Sequence, residues 1–239
     1  MRPVHLLVVN PNTTASMTAK IDAAARSVAA PGTAITAVNP ARGPASIEGH
    51  HDEALCVPPM LELFRQGFAD GADAGVIACF DDPGLYAVRE LTTRPVIGIC
   101  EAAMLTAAVV ASRFSVVTTL ARAVPIVEAL AHRYGMAAKC RRVRAAEVPV
   151  LALEEPGSGA RERVEAEVAR AVTEDGAEAV ILGCAGMADL ARALTAELGV
   201  PVIDGVAAAT KLAEALAGLG VETSKAGAFA WPRAEEHRA

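Results

Sequence analysis

The chain has 239 residues, 53% of them hydrophobic and 21% charged, with a formal net charge of -6. That balance suits a chain able to bury a sizeable core and excludes a disordered one. Few aromatics (five Phe, two Tyr, one Trp) and no basic block exclude a base-stacking platform, so no nucleic-acid partner is expected.

At the N-terminus, the apolar run of "MRPVHLLVVNPN" stops at Asn10 and Pro11, too soon for a signal-peptide core. The longest apolar tract, "AAMLTAAVVAS" (102–112), is too short to span a bilayer. A cytoplasmic protein without a membrane partner is expected. Apolar runs predict strands at 3–9, 34–38, 74–79, 95–98, 114–118, 140–144, 178–183 and 201–203. Most of the segments between them have helical periodicity. "NTTASMTAKIDAAARSVA" opens on a cap at Asn12 or Thr13, and "ARERVEAEVAR" (160–170) reads as a solvated helix face. Such alternation predicts an α/β fold with parallel sheets, and "GVIA" and "AVILG" read as strands buried on both faces.

The chain repeats itself. "GADAGVIACFDDPGLYAVRELTTRPVIG" (71–98) aligns with "GAEAVILGCAGMADLARALTAELGVPVID" (176–204). Both reach cysteine eight residues after the first glycine (71 to 79, 176 to 184) and then run through a helix to Pro-Val-Ile. The earlier strands "LLVVNPNT" (6–13) and "FSVVTTLA" (114–121) also correspond. Two similar α/β lobes are therefore expected, with Cys79 and Cys184 at equivalent strand ends. Ligands of open parallel sheets gather at those ends, so two facing lobes would put the thiols on opposite walls of one cleft, near Asn10 and Thr118.

The cysteines at 56, 79, 100, 140 and 184 show neither CxxC nor Cys/His spacing. An odd, scattered set in a reducing compartment reads as free thiols. Cys56, Cys100 and Cys140 have no counterparts in the repeat and are expected to be packing residues. His50 and His51 lack ligand spacing and are read as loop or cap residues, so no metal is expected. Paired thiols suit a different chemistry. Inverting a stereocentre needs a base on one face and an acid on the other, with roles that exchange, and a thiolate facing a thiol supplies both. Helix N-termini after each cysteine would favour the thiolate, with Asp82 as N-cap and Pro83 at the first helical position. Asp81 and Asp82 read either as caps or as groups tuning Cys79. The carbanion needs donors such as backbone N–H groups, Asn10 or Thr118.

Five segments carry a family resemblance: "VVNPNTTASMT" (8–18), "SIEGHHDEA" (46–54), "ACFDDPGL" (78–85), "FSVVTTLARAVP" (114–125) and "ILGCAGMADL" (181–190). Together the chain resembles the hydantoin racemases, allantoin racemases included, of the aspartate/glutamate racemase superfamily, down to "TSKAGAFA" (223–230). The resemblance implies a cofactor-independent racemase with Cys79 and Cys184 as catalytic residues. It implies two pseudosymmetric lobes, each a four-stranded parallel sheet flanked by helices, with the active site in the cleft. The C-terminal segment would return to the first lobe, giving lobes of 1–100 plus 207–239 and of 101–206.

A 5-substituted hydantoin fits this expectation, because its C5 hydrogen lies beside a ring carbonyl that can hold the carbanion as an enolate. Asn10, Thr118, Thr119 and the backbone around Phe80, Gly183 and Ala185 are the candidates for its polar edge. Ile47 is the candidate to close over the substituent. The cysteine loops contain no arginine for an α-carboxylate, which disfavours a free amino acid. An amino-acid racemase or related isomerase, and a non-catalytic binding protein, remain the alternatives. A homo-oligomer is expected, with the tail "WPRAEEHRA" available for its contacts.

Overall fold

A computed structural model describes residues 3–233; the last six residues of the predicted tail, 234–239, lie outside them. The first half of the chain runs β1 (His5–Val9), α1 (Ala15–Val28), β2 (Ala34–Val38), α2 (His50–Ala69), β3 (Ala74–Ile77), α3 (Leu85–Leu91), β4 (Val96–Gly98) and α4 (Ile99–Val110). The second half runs β5 (Phe114–Thr118), α5 (Val124–Arg133), β6 (Cys140–Ala145), α6 (Ala160–Asp175), β7 (Ala179–Gly183), α7 (Ala191–Leu198), β8 (Val202–Asp204) and α8 (Gly205–Leu219).

The strands form two four-stranded sheets, ordered β2-β1-β3-β4 and β6-β5-β7-β8. Every pairing is parallel. The repeat in the sequence is thus a repeat of topology, and β3 and β7 are buried along their whole length, as continuous apolar runs in parallel sheets require. Val9 pairs with Ile77, and Thr118 with Gly183, so the two inner strands of each sheet end level.

One apolar core joins the halves. Leu6, Val8 and Val76 of the first sheet and Phe114, Val116 and Ile181 of the second share it with Ala102, Ala103, Met104 and Ala107 of α4 and with Ala209 and Ala213 of α8. Alanine on facing helix surfaces lets the backbones approach closely, which accounts for its abundance here. Helix α8 packs on α4 and also on α1, β3 and β4 of the first sheet.

Several boundaries differ from the sequence reading, each for a local reason. Strand β3 stops at Ile77, because the Cys79 carbonyl accepts the Asp82 N–H at 3.1 Å and turns the chain. Helix α1 begins at Ala15 after an N-cap at Thr14, not at Asn12 or Thr13. Asn12 Oδ1 accepts the Thr14 N–H at 2.9 Å, holding the chain in a turn before the helix. Asp82 does not cap α3, which starts at Leu85 behind the left-handed Gly84. His50 and His51 form the first turn of α2, where they pair with Glu53 and Asp52. As expected, α6 carries acid–base pairs on its surface, Arg161 with Glu165 and Arg170 with Glu167 and Glu174.

Candidate active site

The loops leaving β3 and β7 carry Cys79 and Cys184 to a common cavity. The two loops are built alike. Cys79 O accepts the Asp82 N–H at 3.1 Å, and Cys184 O accepts the Met187 N–H at the same distance. In each loop the backbone N–H of the residue two positions on, Asp81 in the first and Gly186 in the second, favours the thiolate of its cysteine. Gly183 lets β7 run tight against β5 just before the cysteine, since a Cβ there would stand 2.9 Å from the Val117 carbonyl oxygen. A larger hollow between α1 and α7 shares only Ala185 with this cavity.

Of the residues singled out in the sequence, Ile47, Phe80, Thr118, Thr119, Gly183 and Ala185 line the cavity with the two cysteines. Asn10 does not. Its side chain is buried behind the wall, donating to Asn12 Oδ1 at 2.9 Å and to Thr18 Oγ1 at 3.0 Å. Asn12 takes its place in the lining. With Oδ1 held by Asn10 Nδ2 and the Thr14 N–H, the Asn12 amide is fixed in orientation, and among the described residues its NH2 meets only the Met17 sulfur, at 3.5 Å. An amide donor against a thioether is weakly satisfied and remains available to a carbonyl oxygen. Thr118 donates its hydroxyl hydrogen to the Gly183 carbonyl at 3.3 Å, which leaves its lone pairs to accept.

Sequence reasoning also passed over Met17 and Val150, which line the cavity from either side. The chain around 150 has no periodicity to mark it, but Glu48 Oε1 accepts the Val150 N–H at 2.9 Å and ties it to the loop of Ile47. Val150 is thus held by a carboxylate that bridges the two halves of the chain and stands next to Ile47 in sequence.

Burial dominates the electrostatics. Both cysteines are partly exposed, but protein surrounds their sulfur atoms. Desolvation and then the nearby Asp81 carboxylate hold Cys79 well above the ordinary thiol range. Desolvation pushes Cys184 up to about 11, against the Gly186 N–H that lowers it. Burial thus favours the thiol form of each cysteine, and the nearby backbone N–H groups favour the thiolate. Asp81, itself lining the cavity, is pushed up to about 7, first by burial and then by Glu53, with His50 opposing. Cys56 and Cys100 are fully buried, while Cys140 is half-buried at the start of β6. Among the described residues no cluster of His, Cys, Asp or Glu has metal-holding geometry.

The family described as Asp/Glu/Hydantoin racemase matches residues 6–213. The chain belongs to this family. The racemase is 54% identical over 230 residues to the hydantoin racemase of Rhizobium meliloti, covering 96% of this chain and 95% of that one. It is likewise 54% identical to the allantoin racemase from Klebsiella pneumoniae, with a TM-score of 0.95 over 97% of this chain and 94% of that one. The maleate isomerase Iso from Pseudomonas putida S16 shares the fold at 18% identity, with a TM-score of 0.68 over 91% of this chain and 93% of that one. The chain is therefore an isomerase of the racemase type acting on a small molecule. No helix among the described residues is long and apolar enough to cross a membrane.

Proposed function

We propose that this racemase inverts C5 of 5-monosubstituted hydantoins, allantoin among them, by proton transfer between Cys79 and Cys184. The observation that carries the reading is the equivalence of the two thiols. They leave matching strands in matching turns and line one cavity. The relatives named hydantoin and allantoin racemase support the substrate class.

One cysteine reacts as thiolate. It takes the C5 hydrogen as a proton, so an S–H bond forms while the C–H bond breaks. The C–H electron pair moves into the adjacent ring carbonyl as an enolate. The opposite thiol then gives its proton to the other face of C5, leaving its own sulfur as thiolate. The centre is inverted and the thiols have exchanged roles, so the next turnover runs in the opposite sense. Enolate charge falls on the carbonyl oxygen, which the Asn12 NH2 is suited to receive, and ring N–H groups find acceptors in Thr118 and Thr119. Ile47, Met17, Ala123 and Val150 provide the apolar surface for a substituent.

None of the described residues lining the cavity is basic, and this favours a neutral ring over an amino-acid carboxylate. Polarimetry on single-enantiomer hydantoins, allantoin, aspartate and glutamate tests the reading. Loss of rotation is expected for the hydantoins. Turnover confined to the free amino acids would overturn it.

A further inference from the structure

The repeat is broken at one place that touches chemistry. Pro95–Gly98 aligns with Pro201–Asp204, so Gly98 stands where the second half has Asp204. Asp204 caps its own helix, accepting the Val206 N–H at 2.9 Å and the Ala207 N–H at 3.0 Å. The corresponding N–H groups of α4 are those of Cys100 and Glu101, and Gly98 has no side chain to receive them. Asp82 does so from the loop of Cys79, with Oδ1 3.1 Å from Cys100 N and Oδ2 2.9 Å from Glu101 N. It fills the space of the missing side chain: a Cβ on Gly98 would lie 2.1 Å from the Asp82 carboxyl carbon.

Two more bonds make this a junction. Tyr134, at the end of α5 in the second half, donates its hydroxyl to Asp82 Oδ2 at 2.8 Å. The Asp82 N–H closes the turn on the Cys79 carbonyl. Asp82 holds φ of 44°, a left-handed backbone that a non-glycine residue keeps only where its surroundings hold it there. The matching residue after Cys184 is Met187, fully buried and without a carboxyl group. Cys79 is thus bound through Asp82 to α4, the helix joining the two halves, and among the described side chains no carboxylate is hydrogen-bonded into the Cys184 loop in this way.

We propose that Asp82 is a positioning residue for Cys79, fixing that thiol against the inter-lobe helix α4 and, through Tyr134, against the half of the chain that bears Cys184. Helix N-termini need a cap, and here the cap is carried by the loop of the reacting group. This deepens the two-thiol reading above and rests on it for its kinetic consequence.

The test separates capping from positioning. Asp82→Ala removes both. Asp82→Ala/Gly98→Asp returns a local cap of the Asp204 kind in the vacated space, but leaves the Cys79 loop untied. Tyr134→Phe keeps residue 82 and removes one bond, so it decides the matter if the first variant fails to fold. Single enantiomers of a 5-substituted hydantoin are followed in deuterated water by NMR, alongside thermal unfolding and amide hydrogen exchange. The double variant is expected to recover the thermal midpoint and the protection of α4, while amides 79–84 exchange faster and racemisation stays down about a hundredfold, the scale of a misplacement of about 1 Å. Its residual deuterium uptake with retention should favour the enantiomer that Cys79→Ser still exchanges. Tyr134→Phe should shift the same readouts in the same sense by less.

Restored racemisation together with restored protection of 79–84 in the double variant would reduce Asp82 to a helix cap and overturn the proposal. So would full protection of 79–84 with uptake lost equally for both enantiomers. Failure of the two-thiol reading appears elsewhere, as Cys79→Ser and Cys184→Ser retaining the same enantiomer. The amide-exchange comparison still decides whether Asp82 holds the loop.

Discussion

Asn10 Nδ2 donates to Asn12 Oδ1 at 2.9 Å, so a residue behind the cavity wall sets the orientation of one that forms it. Replacing Asn12 by Asp keeps the shape, removes the NH2 donor and sets a negative charge near the enolate. A drop in kcat/KM of about tenfold or more is expected, the cost of one lost hydrogen bond to a charged group. Asn10→Ala should act in the same direction but less, by freeing the Asn12 amide to turn. Steady-state polarimetry on both variants checks the order, and a larger loss for Asn10→Ala would contradict it.

Cys79→Ser and Cys184→Ser should each lower racemisation by about a thousandfold, within the range of general acid–base groups. Each retains one thiol able to take a proton from its own side and return deuterium to it. In deuterated water the two variants should exchange opposite enantiomers with retention, once exchange without enzyme is subtracted. Near-normal racemisation by either variant would return its cysteine to a packing role.

Asp81, held near 7 mainly by burial, is neutral on the acid side and an anion on the basic side, where it opposes a Cys79 thiolate. Asp81→Asn removes that anion, so the Cys79 thiol should fall towards its ordinary range. Alkylation of Cys79 by iodoacetamide should speed up above about pH 7, several-fold more than that of Cys184. Stability should respond too. The folded state binds the Asp81 proton where the unfolded chain has released it, so wild-type stability declines as pH rises from the ordinary carboxylate range towards 7. The thermal midpoint of the variant relative to wild type should therefore rise over that interval, and a flat difference would contradict the assignment.

Glu48→Ala should raise KM more than it lowers kcat. Its carboxylate holds the Val150 N–H at 2.9 Å and lies next to Ile47, so its loss loosens two apolar walls without touching either thiol. A change of about three- to tenfold in KM is expected, the scale of one hydrogen bond. Bulky C5 substituents should be affected more than small ones, and initial-rate kinetics across a series of hydantoins would show it.

The two cysteines were legible because the repeat placed them at equivalent strand ends, and strands are marked by continuous apolar runs that the sheets bury. Residues Phe80, Thr118, Thr119, Gly183 and Ala185 were legible as near neighbours of those ends. Asn10 and Asn12 were not separable, because both are short polar residues in one turn and only the hydrogen bonds decide which faces the cavity. Val150 and Asp82 act through partners far away in sequence, at Glu48 in one case and at Cys100, Glu101 and Tyr134 in the other. A periodic pattern has no means of encoding such pairings.

The backbone N–H groups that favour the two thiolates belong to unlike residues, Asp81 two positions after Cys79 and Gly186 two positions after Cys184. Mirror-image substrates have equal free energy in water, so an enzyme that interconverts them must show the same kcat/KM for both. The unlike neighbours are therefore barred from favouring one direction at low substrate. Their effect is confined to saturation, where kcat and KM can differ between enantiomers only in proportion. The pseudosymmetry of the fold is a near match to that constraint, and any difference between the two walls appears only as matched changes in kcat and KM for the two enantiomers.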